Sequence, residues 1–354
     1  MTASDGYARV TTGWSLHGLD ALVLANDRLR VVLLPQLGGR IWEITPVATG
    51  RQLLWHNPGV PVAPVPFGSG YDDNFLGGWD ELFPNDLPEE LAGEPFPDHG
   101  EVWSVPWTWE VLPGPDAAVR LSVTTRISHS TIVRTVRLAP GSDAIEVEVS
   151  LTNGSGAELP MLHKQHLAVD LPPGSRIDLP AGTVEIGDFG RPRAGVPGER
   201  FDWPMAAGVD FSAPPQADGA VSELLFLTGF AEGWCACTGP DGVGIGLVFD
   251  NGVYPSVWTF ASWGGWRSHR VAVLEPCTGV GLSVAEGRAD GRHRSLAPGE
   301  TITTALSAVV YQGLRQVNRI SGHGVNAVVE GAEFNPVVEP VETGQVSVVE
   351  RGPR

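Results

Sequence analysis

The sequence is poor in cysteine and almost without lysine. Three cysteines, Cys235, Cys237 and Cys277, stand among 354 residues. So small and odd a number gives no disulfide framework. Cys235 and Cys237 are also too close along one strand to bridge. A reduced, cytoplasmic setting is the expectation. Lysine occurs once, as Lys164, and the remaining basic residues are arginines. Basic residues number 23 against 41 acidic ones, a formal charge of −18. A surface this acidic repels phosphate backbones and anionic lipid, so neither nucleic acid nor a membrane surface is an expected partner. No apolar run approaches the ~18 residues of a transmembrane helix. The opening MTASDGYARVTTGW has no basic start followed by an apolar stretch, so no signal peptide is expected. No segment carries a long helical period, which excludes a helical bundle, and AEGRADGRHR reads as a loop.

Turn residues are abundant instead. The chain holds 45 Gly and 30 Pro. They break helices and strands and supply turns, so the chain reads as many short strands. With 42% apolar residues, 12 Trp and 12 Phe, it can build a large core. Residues 19–55 read as LDALVLAN, LRVVLLP, RIWEITP and RQLLW, divided by Asn26-Asp27, Gly38-Gly39 and Thr49-Gly50. Residues 56–100 form a long loop dense in Pro, Gly, Asp and aromatics, of the kind that is usually functional. The meander resumes over 101–152, where AIEVEVSL alternates like a strand with one buried and one wet face. Short strands follow over 158–187, then a proline-rich insert at 188–222, then strands to ETITTALSAVVYQ. The fold class is all-β, a large twisted antiparallel β-sandwich, as one domain over 1–317. Val-Val-Glu recurs at 328, 337 and 348, and 318–354 reads as a flexible C-terminal tail, with an added edge strand as the alternative.

Four places concentrate polar and aromatic side chains within this apolar chain. They are Gly77-Gly78-Trp79-Asp80-Glu81-Leu82-Phe83-Pro84, Asp98-His99-Gly100-Glu101-Val102-Trp103, His163-Lys164-Gln165-His166, and Trp263-Gly264-Gly265-Trp266 with Leu274-Glu275-Pro276-Cys277 behind it. Taken singly, a Trp is usually core and a His usually structural. Together they suit a carbohydrate, whose apolar face stacks on indole while its hydroxyls need carboxylate, imidazole and guanidinium partners. His163 and His166 lie three apart in a strand-like stretch and point to opposite faces, which argues against a metal pair. No Gly-x-Ser-x-Gly elbow is present. Gly242-Val243-Gly244-Ile245-Gly246 lies inside a strand pattern with no helix after it, which excludes a dinucleotide fingerprint.

On these residues the sequence resembles the aldose 1-epimerase family of the galactose mutarotase-like superfamily, over roughly 20–312. Leu37-Gly38-Gly39-Arg40-Ile41 looks like the family's opening, GGWDELFP like its Gly-Gly…Phe-Pro element, and Asp98-His99-Gly100 like its His-Gly element. His166 resembles the site histidine. LEPCTG followed by LAPGET resembles the C-terminal glutamate element and closing strand. The resemblance implies a sugar cleft on one concave sheet and a mutarotase that opens and recloses a pyranose ring. Glu275 would be the base, His166 the acid, and His99 a hydrogen-bonding neighbour of the ring oxygen. No cofactor or metal is implied. Where the family has an arginine ahead of its His-Gly element, this chain has Tyr71-Asp72-Asp73-Asn74, and Arg40 is the expected substitute. Trp79, Asp80, Glu81 and Trp263 complete the expected sugar-binding set. Asp210 is a looser match to a family aspartate.

Two other functions fit the same fold. One is a sugar lyase or glycoside hydrolase with Glu81 and Glu275 as paired carboxylates, which must face one glycosidic bond. The other is a carbohydrate-binding protein without turnover. For a catalytic site, His99, His166 and Glu275 must converge in one cleft beside Trp79, Trp103 or Trp263.

Overall fold

Turn chemistry converts the apolar runs into strands. Asn26 shows how: its side-chain oxygen accepts the backbone N–H groups of Arg28 and Leu29 at 2.8 and 2.6 Å. This reverses the chain between the strands Leu19–Asn26 and Leu29–Leu34. The computed structural model describes residues 6–91, 93–215 and 220–333.

Two large antiparallel sheets form. The first has eleven strands in the order Ala8–Leu16, Leu19–Asn26, Leu29–Leu34, Arg40–Pro46, Trp79–Leu82, Lys164–Asp170, Arg270–Cys277, Ser256–Trp263, Ser222–Thr228, Thr183–Arg191 and Arg200–Asp202. The second has eight, running Arg176–Asp178, Gly233–Thr238, Gly244–Phe249, Thr301–Tyr311, Ala144–Thr152, Thr131–Leu138, Ala117–Thr124 and Thr108–Val111. One continuous core lies between them. Leu24, Leu33, Trp79, Leu167 and Leu274 from the first sheet meet Val119, Val136, Val147, Ile245 and Leu306 from the second. This is a β-sandwich, as the sequence predicts. The strand Ala144–Thr152 alternates between buried and more exposed positions from Ile145 onward, also as expected.

The central strands of the first sheet are buried on both faces, as in Arg270–Cys277 and Ser222–Thr228. Their outer face is covered by the long loop after residue 47. Trp55, Tyr71 and Phe75 from this loop, joined by Trp103 from the segment beyond Trp79–Leu82, pack on Leu82, Ala168, Val271 and Val273. Such double burial explains why these strands read as continuous apolar runs. Gly77 and Gly78, with φ of 81° and 76°, let the loop re-enter the sheet. A Cβ on Gly77 would collide with the Trp55 carbonyl.

Two expectations need correction. The boundary after residue 317 cuts through a strand, Leu314–Ser321, which pairs with Val328–Glu333. This hairpin buries Val317 and Ile320 against Trp234, Ala236 and Tyr311 on the outer face of the second sheet. Within 318–333, Ile320 is buried and Val329 partly buried against this sheet, whereas Val325 and Val328 are exposed. The rest of the expected tail, 334–354, lies outside the described residues. The stretch read as a loop also contains a short α-helix, Val284–Ala289. Ser283 caps it, its hydroxyl accepting the Glu286 N–H at 3.1 Å.

Candidate active site

Strand register brings the chemistry together. Asp80 pairs with His166 across neighbouring strands. The pairs Lys164 with Cys277 and Leu167 with Leu274 set His166 opposite Glu275. Glu275 pairs in turn with Trp258. Asp80, His166, Glu275 and Trp258 thus form one row across four strands, on one face of the sheet. The next row on that face is Ala168, Val273, Phe260 and Leu224. Cross-strand neighbours lie roughly 5 Å apart, so one small molecule can span a row.

Six members of these rows, His166, Glu275, Trp258, Val273, Phe260 and Leu224, line a cavity of about 290 Å³. His99, His166 and Glu275 all line it, but the indoles beside them are Trp258 and Trp266 rather than Trp79, Trp103 or Trp263. Asp86 and Lys164 add to the polar end, and Tyr71 with Phe75 closes one wall. Trp266, Phe260 and Phe189 continue the wall outward, with ring centroids 5.6 Å apart at each step. Phe189 is 37% exposed and stands at the rim. The cavity thus has a charged inner end and an aromatic flank, a pattern suited to a ring with one apolar face.

His166 is held by a buried carboxylate. Its Nδ1 lies 3.0 Å from Asp80 Oδ1 and 3.1 Å from the Tyr71 hydroxyl. Asp80 Oδ2 also accepts from Arg40 at 2.8 Å and from the Tyr71 hydroxyl at 2.9 Å. Burial pushes the Asp80 carboxyl upward, but Arg40, His166 and Tyr71 together outweigh it and hold it below the ordinary value. An ionised Asp80 only accepts, so His166 Nδ1 donates to it and Nε2 is left for the substrate. Burial and the neighbouring Asp80 raise the Tyr71 hydroxyl well above the usual value, so it remains a donor.

His99 sits between two carboxylates. Its Nδ1 meets Asp98 at 2.8 Å and its Nε2 lies 3.5 Å from Asp86. Burial works against its charge, but Asp86 and Asp98 prevail and raise it above the ordinary histidine value. Its ring stacks on Tyr71 at 4.0 Å. Lys164 is 2% exposed, and its ammonium contacts Asp86, lies 3.3 Å from Glu275 Oε2, and sits 3.7 Å from the ring centroid of Trp258. Burial would lower Lys164, yet Asp86 and Glu275 reverse this and raise it. Asp86 is correspondingly lowered, its two main cations overcoming burial.

The expected sugar-binding residues divide by strand parity. His99 lines the cavity, whereas Arg40 and Asp80 stand one layer behind it, supporting His166. Trp79 and Glu81 flank Asp80 in sequence and so point the other way, into the sandwich. Trp79 donates to Gln165 at 3.0 Å. Glu81 lies 2.6 Å from His163 and 3.5 Å from Arg134, fully buried. Trp263 is five positions from Trp258 and likewise faces the core. None of these three can touch a sugar in the cleft. Trp103 packs edge-on behind Tyr71 at 5.0 Å. Asp210 is turned to Ser212 and Arg176. With Glu81 on the opposite face from Glu275, the paired-carboxylate hydrolase loses its geometry.

Most of the cavity lining lies outside the expected site set, including Tyr71, Asp86, Lys164, Trp258, Phe260 and Trp266. Lys164 carried one signal, as the only lysine. Among the described residues, no group of three or more His, Cys, Asp or Glu could hold a metal ion. All three cysteines are free and buried. No helix among the described residues is long and apolar enough to cross a membrane.

No family model and no curated protein matches this sequence. Solved structures do match in architecture. A galactose mutarotase-like protein from Clostridium acetobutylicum superposes with a TM-score of 0.65 at 13% identity, over 86% of this chain and 99% of that one. A candidate aldose 1-epimerase from Klebsiella pneumoniae gives 0.63 at 16% identity, over 86% and 83%. A TPR-domain-containing protein from Parabacteroides distasonis gives 0.61 at 13% identity, and there 82% of this chain spans only 47% of the other. In architecture, this chain has the galactose mutarotase-like fold.

Proposed function

We propose that the protein is a cofactor-independent mutarotase, interconverting the α and β anomers of a hexose or related sugar. The observation that carries this reading is the row Asp80, His166, Glu275, which sets an imidazole and a carboxylate side by side at the cavity floor.

Glu275 takes the proton from the anomeric hydroxyl while His166 Nε2 protonates the ring oxygen. The C1–O5 bond breaks and its electron pair passes to O5, leaving an aldehyde at C1. Rotation about C1–C2 presents the other carbonyl face. The proton transfers then reverse and the ring recloses as the other anomer. His99 lies near the ring oxygen, and Trp266 and Phe260 cover the apolar face of the sugar. The cavity's ammonium is already engaged by two carboxylates, which favours an uncharged sugar over a phosphorylated one.

Polarimetry of freshly dissolved α-glucose and α-galactose tests this. The wild type is expected to speed equilibration above the spontaneous rate. His166→Ala and Glu275→Gln are expected to lose about 10²–10⁴-fold. No acceleration for any aldose overturns the reading. Binding without turnover supports a carbohydrate-binding protein instead.

A further inference from the structure

A base that takes up a proton next to a buried ammonium raises a problem of charge. Lys164 and Glu275 are both nearly inaccessible to water, at 2% and 3% exposure. Were Glu275 the only counter-ion of Lys164, each catalytic protonation would strand a buried positive charge, which is strongly unfavourable. Asp86 changes this. It contacts the same ammonium, is 5% exposed, and is held below the ordinary carboxylate range. The three groups carry a net charge of one negative when Glu275 is ionised, and are neutral when it is protonated.

We infer that Lys164 and Asp86 are positioning residues forming a charge-compensating pair, which lets Glu275 accept a proton without leaving the buried ammonium unpaired. Lys164 Nζ lies on the Oε2 side of Glu275, 3.3 Å away. The face of Trp258 takes up the remaining side of the ammonium. This role rests on the mutarotase reading of Glu275.

The other ionisable groups around Glu275 are His166 and, behind it, Asp80 on the neighbouring strands, Cys277 on its own, Tyr71 and Asp72 from the helical turn Tyr71–Asn74, and Asp98 and His99 from the loop beside Asp86. None of them contacts Lys164 Nζ as Asp86 does. Two substitutions therefore move the basic group in opposite directions. In Asp86→Asn, Glu275 becomes the sole counter-ion and is harder to protonate. The acid limb of the kcat/KM profile is expected to fall by about 1–2 pH units, with kcat lowered at least tenfold. In Lys164→Met, Asp86 and Glu275 face each other without a cation, and the limb is expected to rise. Lys164→Arg, which keeps the charge, is expected to restore the wild-type position of the limb.

A second measurement needs no turnover. Because lysine occurs once, ¹³Cε-lysine labelling gives one resonance, which senses the carboxylate beside it. Its acid titration step is expected to move to lower pH in Asp86→Asn. A limb and a resonance step that stay put in Asp86→Asn, or limbs that move the same way in both variants, overturn the inference. A wild type without mutarotase activity but with the shifted resonance step overturns the mutarotase reading and leaves the charge pair standing.

Discussion

Asp80 Oδ1 lies 3.0 Å from His166 Nδ1, and both residues sit at paired positions of neighbouring strands. The bond fixes the ring orientation and chooses which nitrogen faces the cavity. Asp80→Asn keeps the shape but removes the charge and puts an NH2 donor in place of one of two accepting oxygens. Mutarotation is expected to fall about 10–100-fold with near-native circular dichroism. A variant that keeps full activity would show that Asp80 does not orient His166.

Glu81, one position on, is expected to behave in another way. It is buried beside His163 and Arg134. Glu81→Ala leaves Arg134 without its carboxylate and should destabilise the fold by about 3–5 kcal/mol in urea unfolding. The KM of the fraction that remains folded should be unchanged, since Glu81 cannot reach the cleft.

Acid should remove part of the stability that the Arg40–Asp80–His166 cluster supplies. Asp80 is held below its ordinary value of 3.8 when folded. Its contribution is therefore complete above that pH and is lost as pH falls through the lower, folded value. The difference in urea midpoint between wild type and Asp80→Asn should be largest near neutrality and shrink below pH 3.8. A difference that is flat with pH would mean that Asp80 gains nothing from its cations.

The C-terminal hairpin should be part of the cooperative fold. Ile320 is 1% exposed and packs on the second sheet over Gly246. Ile320→Ala is expected to cost about 2–4 kcal/mol in denaturant unfolding. A loss below about 0.5 kcal/mol would mean that the hairpin only rests on the surface.

Much of the architecture could be read from turns and apolar runs, because each strand carries its own punctuation. Site composition was harder. His166 and Glu275 could be assigned through the family resemblance, but Trp79, Asp80 and Glu81 are consecutive, and only the middle one shares a face with His166. Which face that is depends on a register set between residues 86 apart in sequence. Trp258 and Trp263 show the same ambiguity, since parity alone sends one to the cleft and the other to the core. Lys164 stood out by composition, yet its role arises only when Asp86 and Glu275 meet it in space. The C-terminal hairpin is hidden for a similar reason: beside the nearby Tyr311, its apolar residues meet Trp234 and Ala236, on a strand far earlier in the sequence.

The solitary lysine also makes the chain a reporter of its own opening. A protease specific for lysine has a single bond to cut, between Lys164 and Gln165, at the start of a central strand where both residues are buried. Fraying at the edges of either sheet offers it nothing. Cleavage into two fragments therefore counts the moments at which the middle of the first sheet comes apart, and a sugar seated over His166 should slow that clock.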